Sequence, residues 1–137
     1  MNAAESTFIN RLFWRLILNI WSIITLALII IDFFCKNQYN DSTNIVSTIY
    51  IALLGIYSAD KEIDRWTSQK KFISNYLGEL FIIFWTLIMV VLLLITIFHH
   101  ADYQLNNVSF ATYISTLGVF AITEKSKKIY QGKKTSK

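Results

Sequence analysis

Four long stretches of this chain contain no Asp, Glu, Lys or Arg: residues 16–31, 42–59, 80–98 and 103–123. A hydrocarbon core about 30 Å thick is crossed by roughly 20 helical residues, and each stretch reaches that length with its flanks. In lipid every backbone N–H and C=O must be satisfied internally, which leaves helices and closed barrels. Barrel strands alternate apolar and polar residues, and these stretches do not. The expected fold class is therefore an all-α integral membrane protein with four transmembrane helices, at about 12–34, 42–64, 75–98 and 105–126. A basic tail, 127–137, follows within the same single domain.

Composition agrees. Apolar side chains make up 54% of the 137 residues, charged ones only 16%, and there is no proline. Soluble domains carry charge on about a quarter of their residues. Four spans leave no length for a separate soluble catalytic domain. The single cysteine, Cys35, has no partner within the chain. Arg11 and Arg15 precede the first apolar run, but the run ends in Asp32-Phe33-Phe34-Cys35-Lys36 without a small-x-small cleavage site, so it reads as a permanent span rather than a signal peptide.

Basic residues set the expected orientation. With a cytoplasmic N-terminus, Arg11, Arg15, Lys61, Arg65, Lys70, Lys71 and the lysines from Lys125 to Lys137 all fall inside, and of the 13 Lys and Arg residues only Lys36 falls outside. Both termini are then cytoplasmic and the chain belongs in the cell membrane. The short outer loops are 36–41 and 99–106. The lysine-rich tail suits anionic lipid at that face, at about 1 kcal/mol per basic residue near the surface. No folded nucleic-acid reader accompanies these lysines, so nucleic acid is not an expected partner.

The chain also reads as a duplication. At an offset of 63, residues 50–57 (YIALLGIY) align with 113–120 (YISTLGVF), and Trp21-Ser22 aligns with Trp85-Thr86 one residue out. Each unit is a two-span hairpin, and an even span number makes the repeats parallel.

Three constellations stand out. Small residues at Thr48, Ala52, Gly55 and Ala59, and again at Ala111, Ser115 and Gly118, form seams through which helix backbones can approach closely. Hydroxyls and phenols at Tyr50, Tyr57, Ser109, Thr112, Tyr113 and Thr116 form a candidate polar path, and the alternative role for such groups is bonding to their own or neighbouring helices. Arg15 and Glu79 are matched by the repeat near one end of the odd-numbered helices, a candidate ion pair. Lys61 with Glu124 and Glu62 with Lys125 are matched likewise at the other pair of helices. Asp32 sits close enough to a helix end to reach water. Residues 60–66 read as a charged cap on which Ile63 and Trp66 could ride along the membrane surface.

No catalytic triad and no metal-ligand spacing emerges. The adjacent His99 and His100 point about 100° apart on a helix and chelate poorly. No cofactor is expected, and the chain does not read as an enzyme. The expectation is a small, passive, homo-oligomeric channel or pore-forming protein for ions or small solutes, with a non-conducting membrane scaffold or accessory subunit as the rival class.

Overall fold

The computed structural model describes residues 3–67, 77–99 and 101–135. They form four helices and no strand: α1 (Ala3–Phe34), α2 (Asn40–Thr67), α3 (Leu77–Phe98) and α4 (Asn107–Thr135). Three are long and apolar enough to cross a membrane, over Leu12–Phe34, Asn40–Thr67 and Leu80–Phe98. α3 spans 22 residues, about 33 Å at 1.5 Å per residue, close to the thickness of a hydrocarbon core. α4 is not among the three, because Ser109, Thr112, Ser115, Thr116 and Thr123 interrupt its apolar run.

Backbone bonds close the end of α1, and a side chain caps the start of α4. α1 closes in a Schellman motif in which Asn37 N donates to Asp32 O (2.8 Å) and Lys36 N to Phe33 O (3.3 Å). Lys36 takes the left-handed conformation this requires, with φ of 57°, and Asn37 follows it with φ of 61°. The turn reverses the chain into α2, whose first turn carries Asp41 near the positive end of the helix dipole. Asn106 caps α4, its Oδ1 accepting from Val108 N at 3.1 Å. α4 then runs without interruption to Thr135, so the basic tail continues as helix.

α2 packs along both α1 and α4, and α3 lies against α4. The exterior is apolar: Ile23, Leu87, Ile97 and Phe98 are all more than half exposed, Phe98 at 77%. The interior holds Ile29, Phe33, Leu54, Trp85 and Leu92, and among them an unusual share of polar groups: Ser22, Thr25, Asp32, Thr43, Ser47, Tyr50, Arg65, Ser109, Thr112 and Thr116. A helix bundle in water puts its apolar stripe inside and its polar face outside. Here the outer surface is apolar and the interior mixes apolar and polar side chains, which is compatible with an apolar surrounding medium.

Candidate functional site: a buried hydroxyl column

At the end of the bundle that carries the loop residues 35–39 and 101–106, Asp32 ties three helices together. Its Oδ1 accepts from Tyr39 N (2.7 Å) and its Oδ2 from Asn106 Nδ2 (3.3 Å), and the same amide donates to Asn40 Oδ1. Asn37 Nδ2 adds a bond to Gln104 O at 3.0 Å. Asp32 is 1% exposed. The expectation that it reaches water is therefore corrected: the closing of the loops over the α1 terminus buries it and supplies its donors.

Asp32, Tyr39 and Asn106 share one level, and from it helical spacing carries three faces toward mid-bundle. Stepping 3, 7 and 10 residues back along α1 gives Ile29, Thr25 and Ser22; 4, 8 and 11 residues along α2 gives Thr43, Ser47 and Tyr50; 3, 6 and 10 residues along α4 gives Ser109, Thr112 and Thr116. All nine are buried. At 1.5 Å per residue they stack in three layers at about 5, 10 and 16 Å from the loop end. Eight of the nine side chains carry a hydroxyl. The third layer is a cluster, since the Tyr50 phenol faces the hydroxyls of Ser22 and Thr116. α3 supplies an apolar wall with Leu92 and Met89, and Trp85 stacks on Tyr50 with centroids 5.9 Å apart and planes 10° from parallel.

Several hydroxyls have spent their proton. Thr25 donates to Trp21 O (2.7 Å), Thr112 to Val108 O (2.7 Å) and Thr116 to Thr112 O (2.8 Å), so each presents only lone pairs to its surroundings. Four other groups, Thr43 Oγ1, Ser47 Oγ, Tyr50 OH and Trp85 Nε1, are buried with no hydrogen-bond partner among the described residues. A buried polar group left unpaired costs about 1–3 kcal/mol.

Beyond the third layer the interior turns apolar, with Leu54 buried and Leu18, Phe81 and Val119 packed against the same core. At the far end, Arg65 is buried, bonds Glu62 Oε1 at 2.8 Å and reaches Thr123 O at 3.3 Å, while Ser126 bonds Glu62 Oε2. Trp66 leans on α4, with the Tyr130 ring 5.6 Å away edge-on, Lys133 Nζ 5.0 Å from its ring centroid and its Nε1 on Ser126 Oγ at 3.4 Å. The expected pairing of Glu62 with Lys125 and of Lys61 with Glu124 gives way to this arrangement. Glu62 turns to Arg65 and Ser126, and Glu124 to Lys127 at 3.7 Å.

Of the residues singled out in the sequence, Tyr50, Ser109, Thr112 and Thr116 come together in the column. Tyr113 stands apart, its hydroxyl 3.1 Å from Thr86 Oγ1 between α4 and α3, and Tyr57 is half-buried beyond the third layer. The small-residue seams face away from the chain's own interior. Thr48, Ala52, Ala59, Ala111 and Gly118 are exposed, Gly55 and Ser115 half-buried, and a Cβ added at Gly55 or Gly118 would meet nothing within 4 Å. The contact between α2 and α4 is made through the hydroxyl faces instead. Arg15 is exposed, and its expected pair with Glu79 lies outside the described residues, as that side chain is not among them. Thr25, Thr43, Ser47, Asn106 and Trp85 are site residues the sequence reading did not select, whereas Ser22 and Asp32 stood out in it as a repeat-matched hydroxyl and as an ionisable group near a helix end. On α2 a signal existed: Thr43, Ser47, Tyr50 and Leu54 have the same 4-3-4 spacing as the seam at 48, 52, 55 and 59.

No protein-family model, no curated protein and no solved structure matches this chain, so its function is read from its own residues.

Proposed function

We propose that this protein is a four-span integral membrane protein, with both termini cytoplasmic, that conducts small solutes passively. The observation that carries the reading is the hydroxyl column, a continuous run of buried polar side chains inside a bundle whose outer surface is apolar. Polar groups in a lipid-embedded bundle are costly enough that their concentration on one path marks a route or a site. The loop end is the outer mouth. The apolar segment at Leu54, Leu18, Phe81 and Val119 is a hydrophobic constriction of the kind that gates by dewetting.

α4 is the fourth span in this reading. Its hydroxyls turn inward, and Phe110, Ile114 and Ile122, each at least half exposed, meet lipid. The two-repeat architecture draws support from equivalent contacts: Tyr50 faces Ser22 between α1 and α2, and Tyr113 bonds Thr86 at the matching positions of α3 and α4. The outward-facing seams on α2 and α4 suit close packing between copies, consistent with a homo-oligomer. Anionic lipid is the expected partner of the lysine-rich cytoplasmic end.

Purified protein in liposomes tests this. Conduction gives flux of at least one species among water, small neutral solutes, Na⁺, K⁺ and Cl⁻ above that of protein-free vesicles. Silence across that panel from correctly inserted protein overturns the channel and leaves the scaffold reading, which the closed apolar segment favours.

A further inference from the structure

We propose that the column is a hydrated half-channel: a file of water molecules bonds Trp85 Nε1, the Tyr50 phenol and the Thr43 and Ser47 hydroxyls, and the path admits small uncharged hydrogen-bonding solutes rather than ions. The inference deepens the channel reading, on which its selectivity rests; its occupant follows from the orphaned groups themselves.

Rotation can rescue two of the four groups, because the hydroxyls of Thr43 and Ser47 can turn onto carbonyls of their own helix. Trp85 has no such recourse: its N–H is fixed in the plane of the indole, the residue is 0% exposed, and Nε1 has no partner among the described residues, while the equally buried Tyr50 phenol has only the Ser22 and Thr116 hydroxyls to turn to. A buried indole N–H requires an acceptor, and where protein supplies none, internal water is the usual one.

The chemistry of the lining selects the occupant. Trp85 Nε1 can only donate, whereas Thr25, Thr112 and Thr116 have given their protons to backbone carbonyls and can only accept. A cation asks for acceptors throughout and an anion for donors throughout. Water, and molecules such as urea or glycerol, do both. No ionisable group other than the Tyr50 phenol lies in the three layers to balance a bare charge. The one carboxylate at the mouth, Asp32, already accepts from Tyr39 and Asn106. The stacked Tyr50–Trp85 pair forms the floor, beyond which Leu54 begins the apolar segment.

X-ray radiolytic labelling in H₂¹⁸O, read by mass spectrometry on protein in lipid nanodiscs, tests hydration, since hydroxyl radicals form at water held beside a side chain. Normalised for intrinsic reactivity, Tyr50 and Trp85 should label at least fivefold faster than Phe33, which is equally buried but stacked on Tyr103. The double substitution Thr43→Val, Ser47→Ala should cut that labelling severalfold, while Thr48→Val, on the outward face, should not. Labelling of Tyr50 and Trp85 no faster than Phe33 in the unsubstituted protein overturns the hydrated column. Flux assays on the same preparation separate the two readings. A labelled column without flux of any solute keeps the water site and overturns the channel; flux without labelling overturns the water site and moves the path to the space between copies. Na⁺, K⁺ or Cl⁻ flux exceeding that of urea and glycerol overturns the selectivity.

Discussion

Exchanging Asp32 and Asn106 tests whether the loop knot is what holds the mouth of the bundle together. Asp32→Asn retains an oxygen for Tyr39 N, now 2.7 Å away, but replaces a charge-assisted bond with a neutral one, a loss of about 1 kcal/mol. It also sets one amide N–H₂ against the other, where a donor left unpaired in a buried site costs a further 1–3 kcal/mol or so. The single substitution should therefore destabilise by about 2–4 kcal/mol. Asn106→Asp should cost as much or more, since it sets a second acceptor group against Asp32 Oδ2 and removes the amide that donates to it. The double exchange restores one donor facing one acceptor. A carboxylate at 106 can still cap Val108, and the Asn40 amide can turn to donate to it. The coupling should exceed about 2 kcal/mol, at the upper end of what contacting residues show. Denaturant unfolding of the four proteins in one detergent measures it. Single losses that add within about 0.5 kcal/mol in the double variant would mean that the two residues act independently and the knot is not a unit.

Three further outcomes follow from the same geometry. Lys36→Gly should raise stability by about 0.5–1 kcal/mol, because a side chain at positive φ carries a left-handed penalty of about 1–2 kcal/mol that glycine avoids at a smaller entropic cost; an unchanged or lower unfolding midpoint contradicts this. Arg65→Met should destabilise by about 3 kcal/mol by leaving Glu62 Oε1 and the Thr123 carbonyl without their donor, and Glu62→Gln combined with it should recover part of the loss; no recovery would show that Arg65 acts through packing alone. Gly55→Leu and Gly118→Leu should leave the stability of the isolated chain near its original value, since each position opens onto free space, yet reduce the oligomer fraction seen by light scattering in detergent; unchanged assembly for both would place copy-to-copy contacts elsewhere.

Much of this organisation is legible along the chain and the rest is not, for identifiable reasons. The helices follow from apolar runs whose length matches a bilayer, and the inward face of α4 follows from hydroxyls at steps of three and four between Ser109 and Thr116. On α2 two faces share one spacing, and spacing alone does not choose which meets a neighbour; Ser47 points in and Thr48, about 100° round the helix, points out. The small residues read as the more adhesive face, whereas inside the chain the hydroxyl face makes the contact. Asp32 is unreadable for a different reason. Its burial depends on Asn106, 74 residues away, and on a turn built from two non-glycine residues at positive φ, neither of which announces itself in sequence. At the far end the repeat offset places Glu62 opposite Lys125, but the side chain bonds Ser126, one residue further on, because Arg65 on its own helix claims the other carboxylate oxygen.

The proposal that solutes cross through the hydroxyl column is tested most directly by blocking it. Solute flux into liposomes should be measured for the unsubstituted protein, for Ser47→Leu, which fills the middle layer, and for Ile45→Leu, which changes an exposed side chain on the same helix. Insertion would be matched by labelling Asn37→Cys from outside in a Cys35→Ser background. Flux should persist in the Ile45→Leu protein and fall at least tenfold in the Ser47→Leu protein at equal insertion. Equal flux through all three proteins would contradict conduction through the column.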